Sequence, residues 1–379
     1  MKNKKIFLIV LLCAQLMLFS GCWNYREVES LSIVSGFAVD SGSNGSNYHV
    51  TFDVLDAKQE KSNSAKSQLI EADGDTIFDA ARNVVKKTDK RLYFGDSTLV
   101  VIGKQLAEKD LAPILDWMLR DHELRKDIAI AISKENTAQE IIQQKGLQNQ
   151  INSSSLYEAL MENGRALSKI PYVELYQVNN TLNEPGISLA LPAVSVLTNM
   201  NEPVAGLDGM AVFQKDKLVG FLDDTESRNF MFVTGKIKGG LVLVKQGKDQ
   251  IATLEIQESK AEIKPVFEGA NTKMRVNLKI QCSLYEMHTQ KDYGSEDALK
   301  KIEKSAESQI QASVKKSIET VQSAYGSDIF GFGSKIYKNN PKDWETVQSN
   351  WEEQFKTLPA DVTVSVSIQN AGILQSKVM

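Results

Sequence analysis

The sequence predicts an α+β protein of more than one domain, with mixed sheets flanked by helices. Three observations carry that expectation. Residues 97–144 alternate short apolar runs with amphipathic ones in strand–helix–strand–helix order, the grammar of a compact α/β layer. Two long alternating runs, "DQIATLEIQESKAEIKPVFE" and "NTKMRVNLKIQCSLYEM", follow each other in the second half and read as extended strands. A helical pattern then covers 295–325, so the second half is expected to be a largely antiparallel sheet under one long helix.

The elements follow in order. "LSIVSGFAVD" and "NYHVTFDVLD" are strand candidates joined by the flexible "SGSNGSN", which makes them a hairpin. The second puts Tyr48, Val50, Phe52 and Val54 on one face. Polar residues 57–68 read as a loop. "GDTIFDAARNVVKK" opens a helix with Asp75 or Thr76 as N-cap. "STLVVIG" is a short buried strand, "KDLAPILDWMLRDHEL" a helix with Leu111, Leu115, Met118 and Leu119 inward, "DIAIAIS" another strand, and "TAQEIIQQ" a helix from Thr137. "SSSLYEALMENG" and "PYVELYQVNNTL" add helices, and "ISLALPAVSVL" is a strand with Pro192 at an edge or a bulge.

Turn-forming "TNMNEPVAGLD" near 198–208 marks a domain boundary. The expected division is an N-terminal α/β region over 22–198, open to a split into two subdomains, and a C-terminal α+β domain over 199–379. In the latter, "GMAVFQKDKLVGFLDD" is a hairpin with a Lys-Asp-Lys turn. The long helix carries Leu299, Ile302, Ile310, Val314, Ile318 and Val321 as its stripe. A Gly-rich break, "YGSDIFGFGSK", precedes "DWETVQSNWEEQFKTL". Closing "ADVTVSVSIQNAGIL" alternates so that Val362, Val364, Val366 and Ile368 share a face.

Residues 1–21 are different. "MKNKK" precedes the apolar "IFLIVLLCAQLMLF" and then Ser20, Gly21 and Cys22. The run is shorter than the roughly 20 residues that span a bilayer, so basic flank, apolar core and small residues read as an export signal. Small residues followed by cysteine resemble the bacterial lipobox, in which the peptidase cuts between Gly21 and Cys22 and the thiol is acylated; a plain secretory signal is the rival reading. Two acyl chains anchor stably where one is marginal, and Trp23 and Tyr25 would then lie at headgroup level. No later segment is apolar enough to span, so the rest is expected to be exported and soluble.

Net charge is −4, and without the three lysines of the signal 41 basic residues face 48 acidic ones. That balance argues against a nucleic-acid partner, since such affinity rests on Lys/Arg neutralisation of phosphates. Three histidines, His49, His122 and His288, have no partner at a metal-ligand spacing. No nucleophile elbow or phosphate loop occurs, and "GFGS" (331–334) lacks the third glycine and leading strand of a dinucleotide fingerprint. No catalytic residue, cofactor or metal is therefore expected. Cys282 reads as a small hydrophobe in a strand, and the acid pairs Asp223–Asp224 and Glu352–Glu353 as solvated. Two segments could be contact patches or core: Phe221, Phe230, Met231 and Phe232, and the stripe Trp344, Trp351 and Phe355, which shares one face if its helix is continuous.

"GCWNYREVESLSIVSGFAVD" resembles the start of the spore germination receptor C-subunit lipoproteins, the Ger(x)C family. Its Cys-Trp-Asp/Asn then Arg-Glu-hydrophobic-Glu pattern falls on Cys22, Trp23, Asn24, Arg26, Glu27 and Glu29. "FGDSTLVVIGKQLAEKDLAPILDWMLRDHELR", "GMAVFQKDKLVGFLDDTESRNFMFVTGKIKGG" and "DVTVSVSIQNAGIL" continue it in the family's order. The resemblance implies a non-enzymatic subunit on the outer face of the spore inner membrane, beside a multi-spanning A subunit and a transporter-like B subunit. It also implies S-diacylglyceryl and N-acyl groups, palmitate among them, on Cys22, and mixed α/β sheets flanked by helices in distinct domains. The rival is a solute-binding lipoprotein of a transporter, which would show two similar lobes about a hinge.

Overall fold

The computed structural model describes residues 4, 6, 30–43, 45–55, 67–144, 151–245, 251–268, 271–288 and 296–370. Gly21, Cys22, Trp23 and Tyr25 lie outside the described residues. The fold is mixed α and β in two sheets, as expected.

The first sheet begins with β1 (Leu31–Ser41), which pairs antiparallel with β2 (Tyr48–Leu55), and β2 pairs antiparallel with β3 (Ser67–Gly74). Short β4 (Arg91–Tyr93) runs parallel to the start of β1. On the other side of β1 come β5 (Leu99–Ile102), β6 (Ala129–Ser133) and β7 (Ala190–Asn199), all parallel, then antiparallel β8 (Glu202–Gln214) and β9 (Lys217–Leu222). The run of neighbours is β3-β2-β1-β5-β6-β7-β8-β9.

Helices on both faces explain why the central strands are unbroken apolar runs. Val100, Ile102, Ile130 and Ile132 face one core with α1 (Ile77–Asn83), α2 (Lys104–Lys109) and α3 (Ala112–Arg120). Thr76 caps α1, its side chain accepting from the Asp79 amide. Leu99, Val101, Ala129 and Ala131 face a second core with α4 (Gln139–Ile142) and α5 (Asn152–Glu162). Small residues there let α5 settle close: a Cβ on Gly36 would come 2.4 Å from the Ser153 Cβ. Buried Asp40 of β1 accepts from the amides of Ala138 and Gln139 and so caps α4, which starts at Gln139 where the sequence reading began it at Thr137. Further on, α6 (Leu175–Asn183) adds Leu175 and Val178 to the first core.

The sheet continues past residue 198. The β7–β8 turn is Met200–Asn201, both with positive φ, a two-residue hairpin geometry that matches strand twist. Pro192 sits at a bulge between β7 and β8. Alternate faces of β8 then serve two cores, Ala211 and Phe213 packing into the one under α1–α3 and Met210 and Val212 into that of the second half.

The core of the second half belongs to α7 (Asp224–Val233) and to a sheet of order β10 (Leu241–Lys245), β11 (Ile251–Glu268), β12 (Asn271–His288) and β13 (Ala360–Asn370). The first two pairings are antiparallel, as expected, while β12–β13 is parallel, because the helical stretch between them acts as a crossover. Helix α8 (Glu296–Thr320) covers the sheet with Ile302, Ala306, Ile310, Val314 and Ile318 buried. It also shields the β13 edge, since Glu303 and Glu307 accept from the Ile368 and Val366 amides; unpaired edges invite association. Between α8 and β13 lie α9 (Phe332–Asn339), α10 (Pro341–Val347) and α11 (Trp351–Thr357).

Candidate site at the seam between the halves

Two segments meet where the halves join: 184–190, which leaves α6 for β7, and 325–338, which leads from α8 into α9. Each turns on glycine. Gly186 and Gly331 have φ of 70° and 72°, the left-handed region where glycine carries no Cβ penalty. Gly186 and Gly333 then touch backbone to backbone, so that a Cβ on Gly186 would lie 2.4 Å from the Gly333 carbonyl carbon.

Hydrogen bonds close the seam. The Ser188 amide donates to the Asp328 carbonyl and the Ser334 amide to the Gly186 carbonyl, each at 2.8 Å. The Ser327 hydroxyl donates to the Phe213 carbonyl on β8, and the Tyr325 hydroxyl to the Phe221 carbonyl on β9 at 2.8 Å. Glu184 accepts from the Ser334 hydroxyl and the Lys338 ammonium. Burial opposes its ionisation, but those two bonds outweigh it and hold the carboxyl below the usual range.

Asp328 organises the turn from inside. Its carboxylate accepts from the amides of Phe332 (3.1 Å) and Gly333 (2.8 Å) and from the Trp351 indole (3.2 Å). Burial pushes its pKa up to about 7 against these bonds, which favour the charged form. The amides that a phosphate loop would turn to an anion are here turned to the chain's own carboxylate. Phe330 and Phe332 stack beside it, 5.4 Å between centroids.

A cavity of about 270 Å³ opens against this seam. Glu184, Ser188 and Leu189 from the first half and Phe230, Ile263 and Lys335 from the second line it.

The residues that the sequence singles out are dispersed. Cys22 and Gly21 lie outside the described residues. His49 meets the Asp73 carboxylate at 2.8 Å and Glu71 at 3.6 Å across the β2–β3 pair, His122 is exposed, and His288 ends β12. Among the described residues no group of three or more His, Cys, Asp or Glu could hold a metal. Phe230, Met231 and Phe232 are core, while Phe221 is partly buried. Trp344, Trp351 and Phe355 are also buried, though their helix breaks after Val347. Asp223 and Asp224 do more than face water: Asp223 caps α7 in a capping box with Glu226, and Asp224 accepts from the Gly209 amide and pairs with Lys169.

Cys282 is buried in the core of the second half, and burial raises its thiol to about 11, against the pull of Arg228. Since the thiolate is the reactive form, a chain carrying Cys13→Ala and Cys22→Ala should show no fast thiol titration at pH 8 until denatured. Rapid labelling of the native chain would contradict this burial.

The seam was the part that sequence reasoning missed. The signal was present in "SDIFGFGSK": an acid followed by a glycine pair, which composition marks only as a break.

The two halves match separate family models. Residues 24–196 match the spore germination protein N-terminal domain, and 208–372 match the spore germination B3/GerAC-like C-terminal domain. The chain belongs to the spore germination C-subunit family. Its relatives include spore germination protein B3 of Bacillus subtilis (strain 168), 27% identical over 97% of this chain and 96% of that one. Spore germination protein KC of the same organism is 24% identical over 98% and 97%. The crystal structure of the GerBC protein superposes with a TM-score of 0.57, covering 91% of this chain and 100% of that one at 22% identity, which shows a shared fold.

Proposed function

We propose that this chain is a non-enzymatic, lipid-anchored subunit of a nutrient germinant receptor, needed for spores to germinate in response to nutrients. It acts through contacts with membrane-spanning A-type and B-type subunits. The observation that carries the reading is the end-to-end match of both halves to spore germination proteins. In this reading the chain sits on the outer face of the spore inner membrane, tethered by acyl groups on Cys22 after cleavage behind Gly21. Among the described residues no helix is long and apolar enough to cross a membrane. Residues 22–198 and 199–379 work as two units joined through β8 and β9. The two sheets differ in strand number and order, unlike the similar lobes of a hinged solute-binding protein.

The test is a crosslinked pull-down of the tagged chain from spore inner membranes, with partners identified by mass spectrometry. Recovery of A-type and B-type subunits is expected; recovery of an ATP-driven permease in their place would overturn the reading. Cys22→Ala is expected to abolish palmitate labelling and move the chain out of the membrane pellet or leave it uncleaved, since two buried acyl chains supply the anchoring energy. Equal labelling of variant and wild type would exclude Cys22 as the acceptor.

A further inference from the structure

We propose that the seam cavity binds a small organic anion, a carboxylate on a compact apolar body, and that its occupancy fastens the two halves together. The cavity's lining is of two chemical kinds. Phe230, Val233, Ile263, Ile329 and Phe330 make the inner wall apolar, while the charged groups lining it are Lys236, Lys335, Lys338 and Glu184. Three ammonium groups thus face one carboxylate, and that carboxylate is already engaged by Lys338 and Ser334. Lys335 also acts on Glu184 through its charge, while the Lys236 ammonium pairs with no carboxylate among the described residues. The Lys236 ammonium stands 5.3 Å from the centroid of the Phe230 ring, and burial lowers its pKa, so a bound anion there would favour the charged form.

An anionic head is attracted to a site where three ammonium groups share one carboxylate, and an apolar body gains by leaving water for the Phe230 and Phe330 rings. A volume of about 270 Å³ is the share of roughly nine liquid waters at about 30 Å³ each, which suits a ligand of similar heavy-atom count. A neutral body would leave the excess of positive charge in the lining uncompensated. A bare inorganic anion would leave the apolar wall wet. Because the wall comes from both halves, ligand free energy adds to the seam and stabilises the folded chain by mass action.

The experiment uses the full chain in detergent, with 4-methylvalerate, its neutral isostere 4-methylvaleramide, and inorganic phosphate as probes. Saturation-transfer NMR and the thermal midpoint are the readouts. The carboxylate is expected to bind in the millimolar range or tighter and to raise the midpoint, with the amide and phosphate each at least about tenfold weaker. Lys335→Gln and Lys236→Gln are each expected to weaken the carboxylate several-fold with unchanged far-UV circular dichroism. No binding of the carboxylate overturns the proposal, as does equal binding of the amide. Equal binding of phosphate overturns the apolar-body requirement, and carboxylate affinity unchanged in both variants overturns the role given to the lysines. If either variant fails to fold, the ratio of carboxylate to amide on the wild-type chain still decides.

Discussion

Asp328→Ala is expected to lower stability by about 3–5 kcal/mol, read as a fall in the urea midpoint with the slope unchanged. The Phe332 and Gly333 amides and the Trp351 indole would lose their acceptor in a fully buried place, and each orphaned buried donor costs about 1–3 kcal/mol. Asp328→Asn keeps the shape but turns an NH₂ group toward donors, so a smaller loss of about 1–3 kcal/mol is expected. The wild type should also respond to pH. Burial raises the Asp328 carboxyl to about 7 in the folded chain, whereas an unfolded aspartate titrates near 3.9. Between those values the native state holds a proton that the unfolded chain has released. This contribution is therefore fully present below about pH 4 and is lost as pH rises through about 7. Urea midpoints for wild type and Asp328→Asn across pH 4–8 isolate it, because the amide does not titrate. A wild-type curve as flat as that of the variant would show that the hydrogen bonds hold Asp328 ionised throughout.

What the sequence revealed and what it hid follow one physical division. Local patterns survive into structure wherever one face is buried. The alternation in β13, the stripe along α8 and the Thr76 cap are all present, and the 18-residue strands β11 and β12 span the runs expected of them. Losses occur where a distant group sets the outcome. β3 begins at Ser67, inside the stretch read as loop, because its partner is β2 rather than any pattern of its own. α4 begins at Gln139 and not at the expected Thr137, because Asp40, about a hundred positions earlier, takes the Ala138 and Gln139 amides. The parallel sense of β13 depends on the path of the intervening helices. The seam is the extreme case. Its bonds join residues such as Glu184 and Ser334, 150 positions apart, and no periodicity marks them.

Gly333→Val should disrupt that seam, with an expected loss of about 3 kcal/mol or more. A Cβ there would stand 2.7 Å from the Trp351 Cε2 and 2.8 Å from both the Cα and the carbonyl oxygen of Gly186. Two of those neighbours are backbone, so relief requires the 184–190 segment to move away from α9. The Ser334 amide would then leave the Gly186 carbonyl, and the Trp351 indole would shift from Asp328. Overpacking alone costs about 1–3 kcal/mol, and the lost bonds add to it. Gly164→Ala serves as the control: its Cβ would meet nothing within 4 Å and its φ is not positive, so a change within about 0.5 kcal/mol is expected. Equal urea midpoints for Gly333→Val and wild type would mean that the glycine contact does not hold the halves together. A large loss would identify the seam as the joint between the two family-matched segments. Limited proteolysis would then read the same event directly, since a parted seam exposes 327–333, now buried throughout, and cleavage there should separate the β8–β9 strands from the helices that follow α8.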